Sequence, residues 1–233
     1  MLLGIDTSGA VSVALAEGTL GQGITVRAVR SDVRARHHDE VLLPLVEETL
    51  EAGGARRGDL TGIVVGRGPG PFTGLRVGLV VARTLATVLE VPLYGVVSLD
   101  ALAQQAVQEA TAAGSAAESI AVALDARRRE VYHARYRHGE AGDLRRTDGP
   151  AVATPADVAE QLTACDQLVG SGTALYPELL PATQDLAHVD AGQLLTVADH
   201  QLARGDDLAE TSPLYLREPD AARPTARKSA LGR

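Results

Sequence analysis

Tryptophan is absent, and the 233 residues include one cysteine (Cys165), one methionine, one phenylalanine (Phe72) and one lysine (Lys228). A single cysteine excludes an internal disulfide and any zinc site built on several thiolates. With lysine confined to the C-terminal end, there is no Gly-Lys-Ser/Thr to hold a β/γ-phosphate, which excludes a P-loop. Schiff-base chemistry in the body of the chain is excluded with it. Aromatic residues make up 3%, too few to offer nucleobases much to stack on. The net charge of −8 argues against coating nucleic acid or an anionic membrane by bulk electrostatics. The sequence opens Met-Leu-Leu-Gly-Ile-Asp, with no basic leader and no long apolar run after it. The expectation is a cytoplasmic protein with no membrane partner. What the chain does have is a 45% hydrophobic fraction, enough for the core of one large or two small domains.

The apolar pattern begins with short strands at Leu2–Ile5, Val11–Ala16 and Ile24–Val29, with connections short enough for antiparallel neighbours. A three-to-four spacing then predicts a helix over 38–52, with Pro44 implying a late start or a kink, and Gly53-Gly54 ending it. Ile63–Gly66 reads as a strand and 67–74 as a Gly/Pro loop. Thr73 is expected to cap a helix to about Leu89, Val91–Val97 to form a strand, and Ser98 to cap a helix to about Thr111. This β-β-β-α-β-α-β-α order matches a ribonuclease-H-like sheet. After a hinge at 112–118 the pattern restarts more weakly. It gives strands at Ile120–Leu124 and Val131–Tyr136 about a turn at Arg127–Arg129, and a loop at 139–149. A helix at Pro155–Leu162, a strand at Leu168–Val169 and a helix at about 191–203 follow. The expected organisation is a first lobe over 1–114, a smaller one over 115–216, and a frayed tail over 217–233.

Four stretches carry candidate chemistry. Asp6-Thr7-Ser8 sits in the turn after the first strand, where a carboxylate and two hydroxyls suit a magnesium-bound phosphate. An Asx or ST turn uses the same residues more commonly. The run Gly66-Arg67-Gly68-Pro69-Gly70-Pro71-Phe72-Thr73-Gly74 fixes a narrow backbone path into a helix start. It reads equally as an anion site or as a rigid connection. Beyond it, Val77, Val80, Val81 and Val88 spread apolar surface outside the sheet-facing positions of the helix, which implies cover by another element or another protein. His37-His38-Asp39-Glu40 lacks the spacing of His-Glu-x-x-His and reads as an acidic helix start. Finally, seven arginines lie between 127 and 146, a cluster that either meets RNA phosphates or is simply solvated.

The run from Gly68 to Gly78 resembles the signature of the TsaB (YeaZ) family. So do Gly4-Ile5-Asp6-Thr7-Ser8, His38-x-x-x-Leu42-Leu43-Pro44, Asp125-Ala126-Arg127-Arg128-x-Glu130-Val131-Tyr132 and Pro213-x-Tyr215-Leu216-Arg217, in family order across nearly the whole chain. The resemblance implies an α/β actin/hexokinase-like (ASKHA) fold of two ribonuclease-H-like lobes, the second reduced. It also implies a part in making N6-threonylcarbamoyladenosine beside the tRNA anticodon, as partner of the catalytic paralogue TsaD, with TsaE joining the pair.

Catalytic residues and metal ligands are not expected, because Ser98 and Leu102 stand where TsaD-like enzymes carry metal-binding histidines. Asp6, Thr7, Ser8, Gly68, Gly70, Gly170 and Gly172 are the candidates for a degenerate nucleotide site. No cofactor is expected to bind tightly, ATP or ADP being held by the partners. The implied interface comprises Leu42, Leu45, Val46, Thr49, Arg76, Val80, Arg83 and Thr87, and the same face would form a homodimer in the protein alone. Arg127, Arg128 and Arg129 are the candidate RNA contacts, with tRNA otherwise met through the complex. One rival is a small-molecule kinase or ATPase of the same superfold using Asp6 or Asp125. Another is an independent RNA-binding module.

Overall fold

The computed structural model describes residues 1–34, 38–138 and 144–217. In chain order the elements are β1 (Leu2–Asp6), β2 (Val11–Thr19), β3 (Gly23–Asp32), α1 (His38–Ala52), β4 (Gly62–Gly66), α2 (Phe72–Leu89), β5 (Leu93–Val96) and α3 (Ser98–Ala112). There follow β6 (Ser119–Asp125), β7 (Val131–His138), β8 (Leu144–Ala153), α4 (Pro155–Thr163), β9 (Gln167–Val169), α5 (Ser171–Leu175) and α6 (Ala191–Ala203). The first sheet has the order β3-β2-β1-β4-β5, the second β8-β7-β6-β9. In both, three antiparallel strands are extended by parallel ones, so the second sheet repeats the first without its fifth strand.

Strand alternation divides the core among layers. Leu3 and Ile5 of β1 point to α1 and α2, while Leu2 points to the opposite face. Likewise Ile120, Val122 and Leu124 of β6 meet α3 and α6, and Ala121 and Ala123 meet α4. The order through the molecule is α1 and α2, first sheet, α3 and α6, second sheet, α4.

Most expected elements are present; the departures have physical causes. Segment 144–149, expected within a loop, belongs to β8, while 139–143 lie outside the described residues. As an edge strand paired only with β7, β8 shows little apolar alternation and tolerates Pro150. Helix α1 runs from His38 through Pro44 without a late start. Neither Thr73 nor Ser98 is a cap: α2 begins after Pro71 and α3 after Val97, without side-chain caps. Although assigned by number to the second lobe, α6 packs on β1, β2 and β3 and beside α3, so the first sheet is completed by the end of the chain. Arg217 is held rather than frayed, with Nη1 donating to Ala126 O at 2.8 Å; the rest of the expected tail, 218–233, lies outside the described residues.

Candidate functional site

Between the two sheets opens a cleft of about 590 Å³, lined among others by Ser8, Gly70, Asp125, Arg127, Tyr132 and His188. Its floor is the turn after β1. Ser8 donates its backbone N–H (2.9 Å) and its hydroxyl (2.6 Å) to Asp6 Oδ1, closing an Asx turn. Ser98, at the start of α3, donates its hydroxyl to Asp6 Oδ2 at 2.6 Å and accepts the N–H of Gly68 at 3.1 Å. Thr7 donates to Gly74 O at 2.9 Å and accepts from Gly78 N–H at 3.2 Å, fastening the first turns of α2 to the same loop. Asp6 is 1% exposed, and burial pushes its carboxyl above the ordinary value, against the lowering effect of Ser8 and Ser98.

The expected nucleotide residues are therefore divided. Ser8 and Gly70 line the cleft, whereas Asp6, Thr7, Gly68, Gly170 and Gly172 lie behind its surface. Gly70 passes so close to β1 that a Cβ there would stand 2.5 Å from Ser8 O. Gly170, at φ +118°, packs α5 on β6, where a Cβ would meet Ala123 O at 2.2 Å.

The opposite wall is the β6–β7 turn. Arg127, Arg128 and Arg129 all adopt left-handed backbone, with φ of 61°, 53° and 62°. Asp125 accepts the N–H of Arg127 at 2.7 Å and pairs with its guanidinium at 3.2 Å. Three successive non-glycine residues in this region cost roughly 1 kcal/mol or more each, so the surrounding contacts must hold them there.

A magnesium–triphosphate does not fit this set of groups. The Asp6 carboxyl is buried and already accepts from three internal donors, Asp125 faces an arginine, and arginine side chains crowd the β6–β7 turn. Ser98 is consumed by Asp6, and Leu102 is fully buried in the middle core. His38 Nε2 lies 3.1 Å from Gly9 O, His37 lies outside the described residues, and no group of three His, Cys, Asp or Glu gathers among the described residues.

The second feature is the outer face of α2. Gly74, Leu75, Gly78, Leu79, Ala82 and Ala86 are buried against the first sheet, whereas Val80 is 62% and Val88 73% exposed. The helix is long and apolar enough to cross a membrane by length and composition, but its inner face belongs to the core. Thr84 and Thr87 turn their hydroxyls back to the carbonyls of Val80 and Arg83 (2.8 Å each), which leaves the outer face less polar than its sequence. Arg76, Val80, Arg83 and Thr87 line a groove of about 540 Å³ together with Thr211 and Pro213.

The four candidates on α1 are placed differently. Leu42, Leu45, Val46 and Thr49 point into the chain's own core, and Thr49 donates to Leu45 O at 2.7 Å. They offer a partner no surface while α1 stays on the sheet, and Leu43 is exposed in their place.

The clasp around Tyr215 was not foreseen from the sequence. Its ring stacks on Phe72 at 5.0 Å, Arg76 lies 3.8 Å over the Phe72 ring, and Arg76 Nε donates to the Tyr215 hydroxyl at 2.6 Å. The only phenylalanine of the chain, paired with a motif tyrosine, was the available signal.

A family model described as TsaD, tRNA N6-adenosine threonylcarbamoyltransferase, matches residues 29–222. An uncharacterized protein of Mycobacterium tuberculosis is 37% identical over 221 residues, which cover 94% of this chain and 93% of that one. The tRNA threonylcarbamoyladenosine biosynthesis protein TsaB of Escherichia coli is 32% identical over 237 residues, covering 93% of this chain and 94% of its own. Among solved structures, YeaZ from Pseudomonas aeruginosa superposes with a TM-score of 0.76 at 33% identity, covering 92% of this chain and 99% of that one.

Proposed function

The chain belongs to the TsaB (YeaZ) family, with the actin/hexokinase-like fold, and on that premise we propose that it is a non-catalytic subunit docked on the catalytic paralogue TsaD. The process is tRNA threonylcarbamoyladenosine biosynthesis. TsaE joins the pair, ATP or ADP is held by the partners, and tRNA is met through the complex, with Arg127–Arg129 the candidate contacts on this subunit. All of this takes place in the cytoplasm. Without TsaD, the same face pairs two copies of this chain.

The observation that carries this reading is the outer face of α2. Val80 and Val88 stand exposed beside a groove rimmed by Arg76 and Arg83, while the inner face of the helix is fully engaged. An apolar patch rimmed by arginine suits a protein partner better than solvent. The buried, internally bonded Asp6 and the arginine-paired Asp125 argue against the kinase alternative, which needs one of them free for magnesium or for a proton.

Size-exclusion chromatography with TsaD from the same source tests the reading. The wild type is expected to co-elute with it. Val80→Asp places a charge in a desolvated contact and draws Arg76 and Arg83, one helical turn to either side, away from the partner, costing about 3 kcal/mol, a hundredfold in affinity or more. Because Val80 is exposed in the single chain, the variant keeps the melting temperature of the monomer, measured at concentrations too low for either protein to self-associate. Unchanged co-elution of Val80→Asp would remove α2 from the interface; no complex with the wild type would remove the partner.

A further inference from the structure

Residues 208–217 run from one half of the molecule to the other. Gly95 N–H donates to Leu208 O at 2.9 Å, beside β5. Arg67 then brackets the segment, its Nε donating to Ser212 O at 2.9 Å and its carbonyl accepting the N–H of Leu214 at 2.8 Å. Arg83 holds Thr211 Oγ1 at 3.3 Å, and the Phe72–Arg76 clasp holds Tyr215. Two residues on, Arg217 reaches the second sheet, where it donates to Ala126 O at 2.8 Å and pairs with Glu130. One segment thus walls the α2 groove with Thr211 and Pro213 and grips both ends of the turn that places Arg127 in the cleft.

We infer that this segment is a transmission strap, through which a partner seated in the α2 groove sets the conformation of the Arg127–Arg129 turn at the cleft. On this reading the turn has a clamped state, the one seen here, and a released one. Its left-handed arginines are clamped by Asp125 on the Arg127 N–H (2.7 Å), by Ala126 N–H on Glu130 O and Glu130 N–H on Arg127 O (3.0 Å each), and by Arg217 from the strap, the one clamp that comes from outside the hairpin. A body pressing on Thr211 and Pro213 immobilises the strap and Arg217 with it. By linkage, whatever fixes the turn at the cleft strengthens docking by the same factor. The identity of the seated partner rests on the reading above, but the mechanical link does not.

Amide hydrogen exchange separates the two. In the isolated chain, at concentrations too low for it to self-associate, Arg76→Ala is expected to speed exchange about fivefold or more at Leu214 and at Ala126 and Glu130, with Val64 and Ile5 unchanged. Turn amides that keep wild-type rates, or an acceleration shared equally by Val64 and Ile5, would overturn the strap. In the complex, TsaD is expected to slow Ala126 and Glu130 in the wild type. In Arg217→Ala, which still co-elutes, that slowing is expected to be lost; slowing that persists there overturns the inference. Failure of wild-type TsaD to dock counts against the proposed function alone, because the isolated-chain comparison still decides the strap.

Discussion

Asp6 is a carboxylate the fold has closed over, and its three donors come from two places: Ser8 within its own turn and Ser98 some ninety residues later. The local part was legible, because Asp-Thr-Ser after a strand favours an Asx turn. Ser98 was not, since a serine preceding a helix reads as a cap and nothing in its neighbourhood marks a carboxylate across the sheet. Burial raises the folded-state pKa of Asp6 above the ordinary 3.8. Between those two values the folded chain retains a proton that the unfolded chain has released. Stability attributable to Asp6 therefore falls as pH rises from about 4 through the elevated value, at about 1.4 kcal/mol per unit of elevation, and is level beyond it. Asp6→Asn keeps the shape and removes the titration. The difference in urea-unfolding free energy, wild type minus variant, is expected to decline as pH rises above about 4 and then to level off. Asp100, also raised by burial, is present in both chains and cancels in the difference. Parallel profiles would mean that Asp6 remains ionised throughout.

At the scale of elements, α1 and α2 show what periodicity resolves and what it leaves open. Both helices were legible as helices, α1 over 38–52 although Pro44 had suggested a late start or a kink. Their roles were not, because an apolar stripe reports that a face is covered without saying by what. Leu42, Leu45, Val46 and Thr49 are covered by the first sheet; Val80 and Val88, outside the stripe of α2, are the residues left open. The surplus of apolar positions was thus the sounder signal, and it pointed to α2 alone. Leu42→Asp consequently acts on folding before it acts on any partner. An unpaired charge at a fully buried position is expected to cost about 4 kcal/mol or more and to lower the melting temperature by over ten degrees. Leu43→Ser, at a position 51% exposed, is expected to shift it by no more than about two degrees. Equal melting temperatures for the two variants would show α1 bound to the sheet more loosely than its burial implies.

At the scale of the whole molecule the two lobes share a middle layer. Leu99, Leu102 and Ala106 of α3 and Leu194, Leu195 and Ala198 of α6 form one core with Leu2 and Val64 of the first sheet and Ile120 and Val122 of the second. A buried polar knot crosses that layer. Asp100 of α3 accepts from the Tyr136 hydroxyl of β7 at 2.8 Å and from Gln201 Nε2 of α6 at 3.1 Å, and Arg146 of β8 lies 3.7 Å away. The topology of the first sheet was legible from strand order, whereas β8 of the second was read in part as loop, and the sharing was hidden because α6 is remote in sequence from the β1 and β2 it covers. That remoteness has a consequence for folding. A chain ending at Val189 keeps every strand of both sheets yet uncovers the face on which Leu2, Ala14 and Val64 sit, and it removes Gln201 from Asp100. Such a chain is expected to retain far-ultraviolet helix and strand signal while losing cooperative unfolding and binding a hydrophobic dye. The Asp100 carboxylate adds a second penalty, since a buried acceptor stripped of a donor costs about 1–3 kcal/mol. If the shortened chain melted cooperatively within a few degrees of the full one, each lobe would have to carry a sufficient core of its own, and α6 would be an ornament on the first sheet rather than the layer that closes it.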